Sequence, residues 1–310
     1  MTQSGTGKYE RLLERCRGIA PVPTAVAYPC DESSLAGAMD AASKGLIIPI
    51  LVGPAATIAE VAKTKGIDIS AAQIVDVASP KASAAKAVEL VRLGQAELVM
   101  KGSLHSDEVL GAVIAKETGL RTGRRLSHAF LMDVPTYHKV LIVTDAAINI
   151  APTLEDKVDI CQNAIDLAKT FGIERPKVAI LAAVETVNSK MSATLDAAAL
   201  CKMADRGQIK GGLLDGPLAF DNAISRDAAR TKGITSEVAG DPDILLAPDL
   251  EAGNMMAKML SFLANADSAG LVLGARVPVI LTSRADSVRS RIASCAVAVM
   301  AAHARRQPPR

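Results

Sequence analysis

The stretch Ile47-Ile48-Pro49-Ile50-Leu51-Val52-Gly53-Pro54-Ala55-Ala56-Thr57-Ile58-Ala59-Glu60-Val61-Ala62-Lys63-Thr64-Lys65 decides the fold class. Its first half is apolar at every position and offers water no polar face. Such a strand is buried on both sides, and helices on both faces of its sheet provide that burial. After Gly53 the pattern restarts as a helix, with Pro54 expected in its first turn. The pairing recurs along the chain. Strands are predicted over 25–28, 47–52, 74–77, 98–100, 129–132, 140–143, 178–181, 212–214, 244–246, 270–272 and 277–281. Helices are predicted over 32–43, 54–65, 81–93, 107–117, 154–171, 192–204, 254–264 and 285–302. Strand–helix alternation argues for an α/β fold with a mainly parallel sheet. Asp31 and Ser79 stand where helices need N-caps, and Pro80 suits a first helical position.

At 310 residues the chain is long for one core, so two domains are expected. Hydrophobic residues make up 49% and charged residues 22%, the balance of a globular protein. There is no Trp, with four Phe and three Tyr, so small and branched aliphatics must fill the core. A net charge of +2 and few stacking aromatics argue against nucleic-acid binding. The basic tail 303–310, with Arg305, Arg306 and Arg310, reads as a frayed, solvated end. Residues 1–10 are polar and carry no apolar leader segment, and the apolar runs 46–52 and 271–281 are far too short to span a membrane. The five Cys are scattered singly, so a reduced, cytoplasmic setting is expected. No GxGxxG follows a predicted strand, and no GxSxG or HExxH occurs. Gly5-Thr-Gly-Lys8 fails as a P-loop because Tyr9 replaces the Ser or Thr that would bind magnesium.

What remains is a set of polar loops at the carboxyl ends of strands, where open α/β sheets bind ligands. In Met100-Lys-Gly-Ser-Leu-His-Ser106, Lys101 ends a strand, Gly102 permits close backbone approach, and Ser103 and Ser106 are expected to cap the next helix. A lysine beside a helix N-terminus is an anion site; a capped turn with an exposed Lys is the plainer alternative. In Leu281-Thr-Ser-Arg-Ala-Asp-Ser287, Ser283 and Arg284 stand at a helix start, where an Arg can grip phosphate through two parallel hydrogen bonds; a Ser or Thr cap with the Arg in solvent is the plainer alternative and, taken alone, the better one. Pro248-Asp-Leu-Glu-Ala-Gly-Asn254 places Asp249 and Glu251 either as metal ligands or simply as acids at a helix start. The segments 144–149 and 215–221, with Thr144, Asp145 and Asp215, carry carboxylates that turn chemistry would also explain.

Together these strings resemble the phosphate acetyl/butyryltransferase family. The likeness rests on Val99-Met-Lys-Gly-Ser-Leu-His105, Ser127-His-Ala-Phe-Leu-Met-Asp-Val-Pro135 and Thr144-Asp-Ala-Ala-Ile-Asn-Ile-Ala-Pro152. It continues through Val184-Glu-Thr-Val-Asn188, Leu214-Asp-Gly-Pro-Leu-Ala-Phe-Asp-Asn222, Pro248-Asp-Leu-Glu-Ala-Gly-Asn254 and Thr282-Ser-Arg-Ala-Asp286. It runs in order from about Tyr9 to Ala301.

The resemblance implies two α/β domains with an interdomain cleft, isocitrate/isopropylmalate dehydrogenase-like. The first would comprise 1–122 and 275–310, the second 123–274, the latter building a homodimer. It implies transfer of a short acyl group between coenzyme A and inorganic phosphate, by direct attack in a ternary complex, without metal or bound cofactor. Ser283 then serves the sulfur or oxyanion, Arg284 the phosphate and Asp286 the thiol proton, with His128 and His105 as competing bases. Lys101, Gly102, Ser103, His105, Ser127, His128, Thr144, Asp145, Asp215, Asp249, Asn254 and Thr282 are the implied substrate-side residues. Two departures point to the butyryl-type branch: Ser290 stands where acetyl-type members carry an acid, and Val109-Leu-Gly111 lacks their Arg. The alternatives are a metal- and nicotinamide-dependent decarboxylating dehydrogenase, which needs paired Asp ligands, and a two-domain solute-binding protein.

Overall fold

The computed structural model describes residues 7–282 and 286–306. In chain order the first elements are α1 (Lys8–Cys16), β1 (Val22–Ala27), α2 (Glu32–Ser43), β2 (Ile47–Gly53), α3 (Ala55–Lys65), β3 (Gln73–Asp76), α4 (Pro80–Arg92), β4 (Leu98–Lys101) and α5 (Ser106–Ile114). There follow β5 (Ser127–Asp133), β6 (Leu141–Thr144), α6 (Leu154–Thr170), β7 (Lys177–Leu181), α7 (Ser192–Asp205), β8 (Leu213–Leu218), α8 (Phe220–Ile224), α9 (Arg226–Thr231) and β9 (Ile244–Leu246). The last are α10 (Leu250–Phe262), β10 (Asp267–Leu273), β11 (Val279–Ile280) and α11 (Val288–Arg306).

The chain divides into two compact units, Tyr9–Arg124 with Ala269–Arg310, and Met1–Lys8 with Arg125–Ser268. In the first, the strand order is β3-β2-β1-β4-β11-β10. All its pairs are parallel except β10 with β11. In the second the order is β5-β6-β9-β7-β8, parallel apart from β5 with β6. Lys8 is bound within the second unit, where its ammonium pairs with Asp133 at 2.8 Å and donates to the Val134 and Tyr137 carbonyls.

Side-chain chemistry sets where the elements start and stop. Asp31 caps α2 by accepting from the Ser34 amide at 2.8 Å, and Ser79 caps α4 with Pro80 as its first residue. Pro54 is the N-cap residue of α3 instead of a residue inside its first turn. Proline has no side-chain acceptor, and Asp76 at the end of β3 supplies one to the Ala55 amide at 2.9 Å. α5 stops at Ile114 because Ala115 turns extended and its carbonyl accepts from the Gly119 amide. The basic tail is not frayed through residue 306. α11 continues to Arg306, whose guanidinium makes two parallel bonds to Glu97 at 2.6 and 2.7 Å, while Arg305 donates to the Ala275 and Arg276 carbonyls.

The cores are aliphatic, as the composition requires. α11 is buried without interruption from Ser290 to Ala302 and packs on α2 and β11. Its Ala, Ser, Val and Cys side chains let neighbouring backbones approach closely. In the second unit, Met132, Leu141, Val143, Leu181, Leu218 and Leu245 form the centre of one contiguous cluster. Among the described residues, no helix is long and apolar enough to cross a membrane.

Candidate functional site

The loop after β4 is stitched to the loop after β1. The Gly102 amide donates to the Ala27 carbonyl at 2.8 Å, and the Ser103 amide to the Tyr28 carbonyl at 2.8 Å. A Cβ on Gly102 would collide with both carbonyl oxygens, so only glycine fits. Tyr28 itself lies in the left-handed region, φ 55°, uncommon for a side-chain-bearing residue. The Ser103 hydroxyl donates to the Tyr28 carbonyl and accepts from the Cys30 amide. Ser103 therefore does not cap α5, and Ser106 is already helical. His105 is the N-cap residue, its amide bound by Glu108 at 3.0 Å.

Lys101 is buried, which removes the exposed-lysine alternative. Its ammonium donates to the Gly102 carbonyl at 3.3 Å and to the Thr282 carbonyl at 3.4 Å. Two loops far apart in sequence thus meet at one buried cation. The Thr282 hydroxyl is buried with no hydrogen-bond partner among the described residues. Such a donor lacks the compensation that buried polar groups normally find. Ser283 and Arg284 lie outside the described residues. Asp286 is half-buried just before α11, and its carbonyl accepts from Arg291. Ser290 is buried in the first turn of α11, its amide bound by the Ser287 hydroxyl. Burial pushes the Cys30 thiol up to about 11, with Asp31 adding to it, so this cysteine is a poor thiolate nucleophile near neutrality.

The second unit builds its own polar cluster where β5, β6 and α10 meet. Asp145, 3% exposed, follows β6 directly. Its Oδ1 accepts from the Ala147 and Ile148 amides, and its Oδ2 from both the Asn149 amide and the Asn149 side chain. Asn149 also donates to the Leu126 carbonyl and accepts from Arg125 Nε at 2.8 Å. The Thr144 hydroxyl donates to the His128 carbonyl, and Ser127 accepts from Asn163. His128 is buried against Phe130, ring centroids 4.4 Å apart, and its Nδ1 has no hydrogen-bond partner among the described residues. Burial lowers its pKa to about 4, with the Asp145 charge pulling the other way.

Asp249 caps α10, accepting from the Ala252 amide at 2.8 Å, so the bland reading of this acid is the one its geometry displays. Asn254 donates to the Ala146 carbonyl at 2.9 Å, and Gly253 lies against the Asp145 carbonyl where a Cβ would not fit. Asp215 stands apart on β8, three strands beyond β6, with its Oδ1 on the Gly216 amide. Glu185 accepts from Lys232 at 2.9 Å and from Asn222 at 3.4 Å, while the buried Asn222 Oδ1 has no partner among the described residues.

Asn149, the partner that locks Asp145, is not among the residues singled out from the sequence. Its signal was the four-residue spacing Asp145-x-x-x-Asn149, which lets an acid fold back over its own turn. Among the described residues, no group of three or more His, Cys, Asp or Glu stands where it could hold a metal ion.

This fold is that of the phosphotransacylases. The solved structure of a branched-chain phosphotransacylase from Enterococcus faecalis V583 superposes with a TM-score of 0.80 at 29% identity, covering 91% of this chain and 99% of that one. A protein of Rhizobium meliloti named phosphate acetyltransferase is 62% identical over 96% of this chain and 95% of its own. One of Clostridium beijerinckii named phosphate butyryltransferase is 44% identical over 95% of this chain and 97% of its own. A family model described as phosphate acetyl/butaryl transferase matches residues 81–299. The chain belongs to the phosphate acetyl/butaryl transferase family.

Proposed function

We propose that this protein is a phosphate acyltransferase that converts acyl-CoA and inorganic phosphate into acyl phosphate and free coenzyme A, on acetyl or butyryl groups. The observation that carries the reading is the Lys101 ammonium on the Thr282 carbonyl, which brings the first anion-binding motif to the residue preceding the Ser-Arg pair. Family membership supports the same reaction.

In the forward direction a phosphate oxygen attacks the acyl carbon, the carbon–sulfur bond breaks and the thiolate leaves. Arg284 holds the phosphate through charge-assisted bonds, and Ser283 donates to the sulfur or to the developing oxyanion. In reverse, the thiol gives its proton to Asp286, sulfur attacks the acyl carbon and phosphate departs. A free thiol titrates near 8.5, so a nearby acceptor helps at neutral pH. Lys101 adds positive charge beside the two anionic substrates. Ser127, His128, Thr144, Asp145, Asp249 and Asn254 shape the other unit's loops through the bonds described above. Coenzyme A enters as substrate, and we propose no resident metal or cofactor.

The acyl length rests on two arguments that pull apart. Gly111, where acetyl-type members carry an Arg, favours butyryl, while the name of the 62% identical relative favours acetyl. Gly111 is exposed with open space around it, so its effect on the acyl pocket is small. We therefore expect acetyl-CoA and butyryl-CoA to be used within about tenfold of each other, less than the two methylenes between them would decide in a tightly fitted pocket.

The test is release of free thiol from acetyl-, propionyl- and butyryl-CoA, with and without phosphate and EDTA, for the wild type and Arg284→Ala. Phosphate-dependent, EDTA-resistant release is expected. Arg284→Ala is expected to lose on the order of 10²-fold or more in turnover, and Arg284→Lys to stay poor because an ammonium lacks the planar fork. Activity that needs magnesium would overturn the reaction assignment. Wild-type turnover in Arg284→Ala would overturn the site.

A further inference from the structure

A glycine in the middle of a helix weakens it relative to alanine, so Gly37 in α2 calls for a reason. That reason is Arg291 on α11: a Cβ on Gly37 would lie 3.0 Å from Arg291 Cδ. Arg291 is 4% exposed, and a cation that deep has to be paired or hydrogen-bonded. Burial pushes the Asp31 carboxyl up, but hydrogen bonds from Ser34 and Ser33 and the Arg291 charge more than reverse it. The Arg291 Nε donates to the Asp286 carbonyl at 3.3 Å. The Arg291 amide closes the next turn by donating to the Ser287 carbonyl at 3.1 Å. One buried arginine therefore joins α2, where its stem packs on Gly37, to the residue leading into α11.

We infer that Arg291 is a positioning residue for the acyl transfer, fixing the Asp286 main chain against α2 at Gly37. The inference rests on the proposed roles of Asp286 and its neighbouring Ser-Arg pair. A reacting group displaced by a fraction of an ångström loses rate without losing fold, because orientation supplies much of the acceleration. Gly37 is the counterpart device. It leaves the channel through which the arginine stem crosses α2.

The experiment uses the full chain with Arg291→Lys, Gly37→Ala and Arg284→Ala in parallel, scored by circular dichroism, thermal unfolding and steady-state kinetics with acyl phosphate and CoA. Arg291→Lys keeps a buried cation but cannot place an N–H at the Nε position. It should fold and melt close to the wild type, with kcat down about tenfold or more and KM for CoA little changed. Gly37→Ala improves the helix yet crowds the arginine, so its melting temperature should hold or rise while kcat falls. A purely structural role predicts the opposite pattern, lower melting with wild-type kcat per folded molecule. Wild-type kcat in Arg291→Lys and Gly37→Ala, beside an inactive Arg284→Ala, overturns the positioning role alone. Full turnover in Arg284→Ala overturns the site reading and this inference together.

Discussion

His128 shows what one buried side chain does to the whole stability curve. Burial holds its imidazole neutral down to about pH 4, whereas an unfolded histidine titrates near 6.5. Between those values the unfolded chain binds a proton that the folded chain refuses. Stability is full above about 6.5 and is lost as pH falls, by up to about 1.4 kcal/mol per unit. Urea unfolding at pH 7 and pH 5 should therefore show the wild type losing about 2 kcal/mol more than His128→Gln. Equal losses would mean that the folded protein carries a protonated His128. At this scale the sequence was partly legible. Lys101, Gly102 and Asp145 could be singled out because a loop after an apolar strand limits what such residues do. Ser103 was misjudged as a cap because its real partners, the Tyr28 carbonyl and the Cys30 amide, lie some seventy-five residues away. No local pattern signals a contact of that kind.

Elements were easier to read than their ends. Continuous apolar runs marked the central strands, such as β1, β2, β4 and β6, since burial on both faces leaves no other composition, whereas β3 at the sheet edge is largely exposed and shows only Ile74 and Val75. β8 ran past its expected end because Asp215-Gly216-Pro217 looks like a turn. Yet β8 is an edge strand, where proline's missing N–H costs no ladder bond on the open side. α8 and α9 are too short to show a helical period, and α1 hides in a polar N-terminus whose Leu12, Leu13 and Cys16 were its only apolar signal. The β1 and β4 loops yield a test at this scale. In Gly102→Ala the new Cβ has to displace main chain, not a movable side chain. We expect a loss of about 2 kcal/mol or more in unfolding free energy and a severe loss of turnover, with Gly111→Ala, exposed on α5, as the silent control. Wild-type melting and turnover in Gly102→Ala would show that the two loops need not be joined.

For the molecule as a whole, we propose a homodimer. Met255, Met259 and Phe262 on α10, at spacings of four and three, and Leu263 at its C-cap are 58%, 59%, 76% and 79% exposed. Large apolar side chains aligned on one surface mark an association site more often than chance exposure does. Sedimentation velocity should show a dimer for the wild type and a shift toward monomer for Phe262→Asp with Leu263→Asp. Each buried apolar side chain is worth about 1.5–3 kcal/mol. A wild-type monomer, or an unshifted variant, would refute this surface. Composition foresaw the aliphatic cores and the want of aromatics. The family likeness came from the order of many short motifs along the chain, which no single loop could have supplied.

The unit formed from Tyr9–Arg124 and Ala269–Arg310 has a consequence for how the protein is made. A ribosome releases β1 to β4 first, but β4 pairs with β11, and β11 comes from near the end of the message. The five strands β5 to β9 lie wholly within the intervening segment and can close as soon as it emerges. At about 5–20 residues per second, β4 waits roughly 10–35 s with one edge open. A strand edge open that long is a template for pairing with other nascent chains. Crowded polysomes, more than the finished enzyme, are where this protein runs its greatest risk of aggregation.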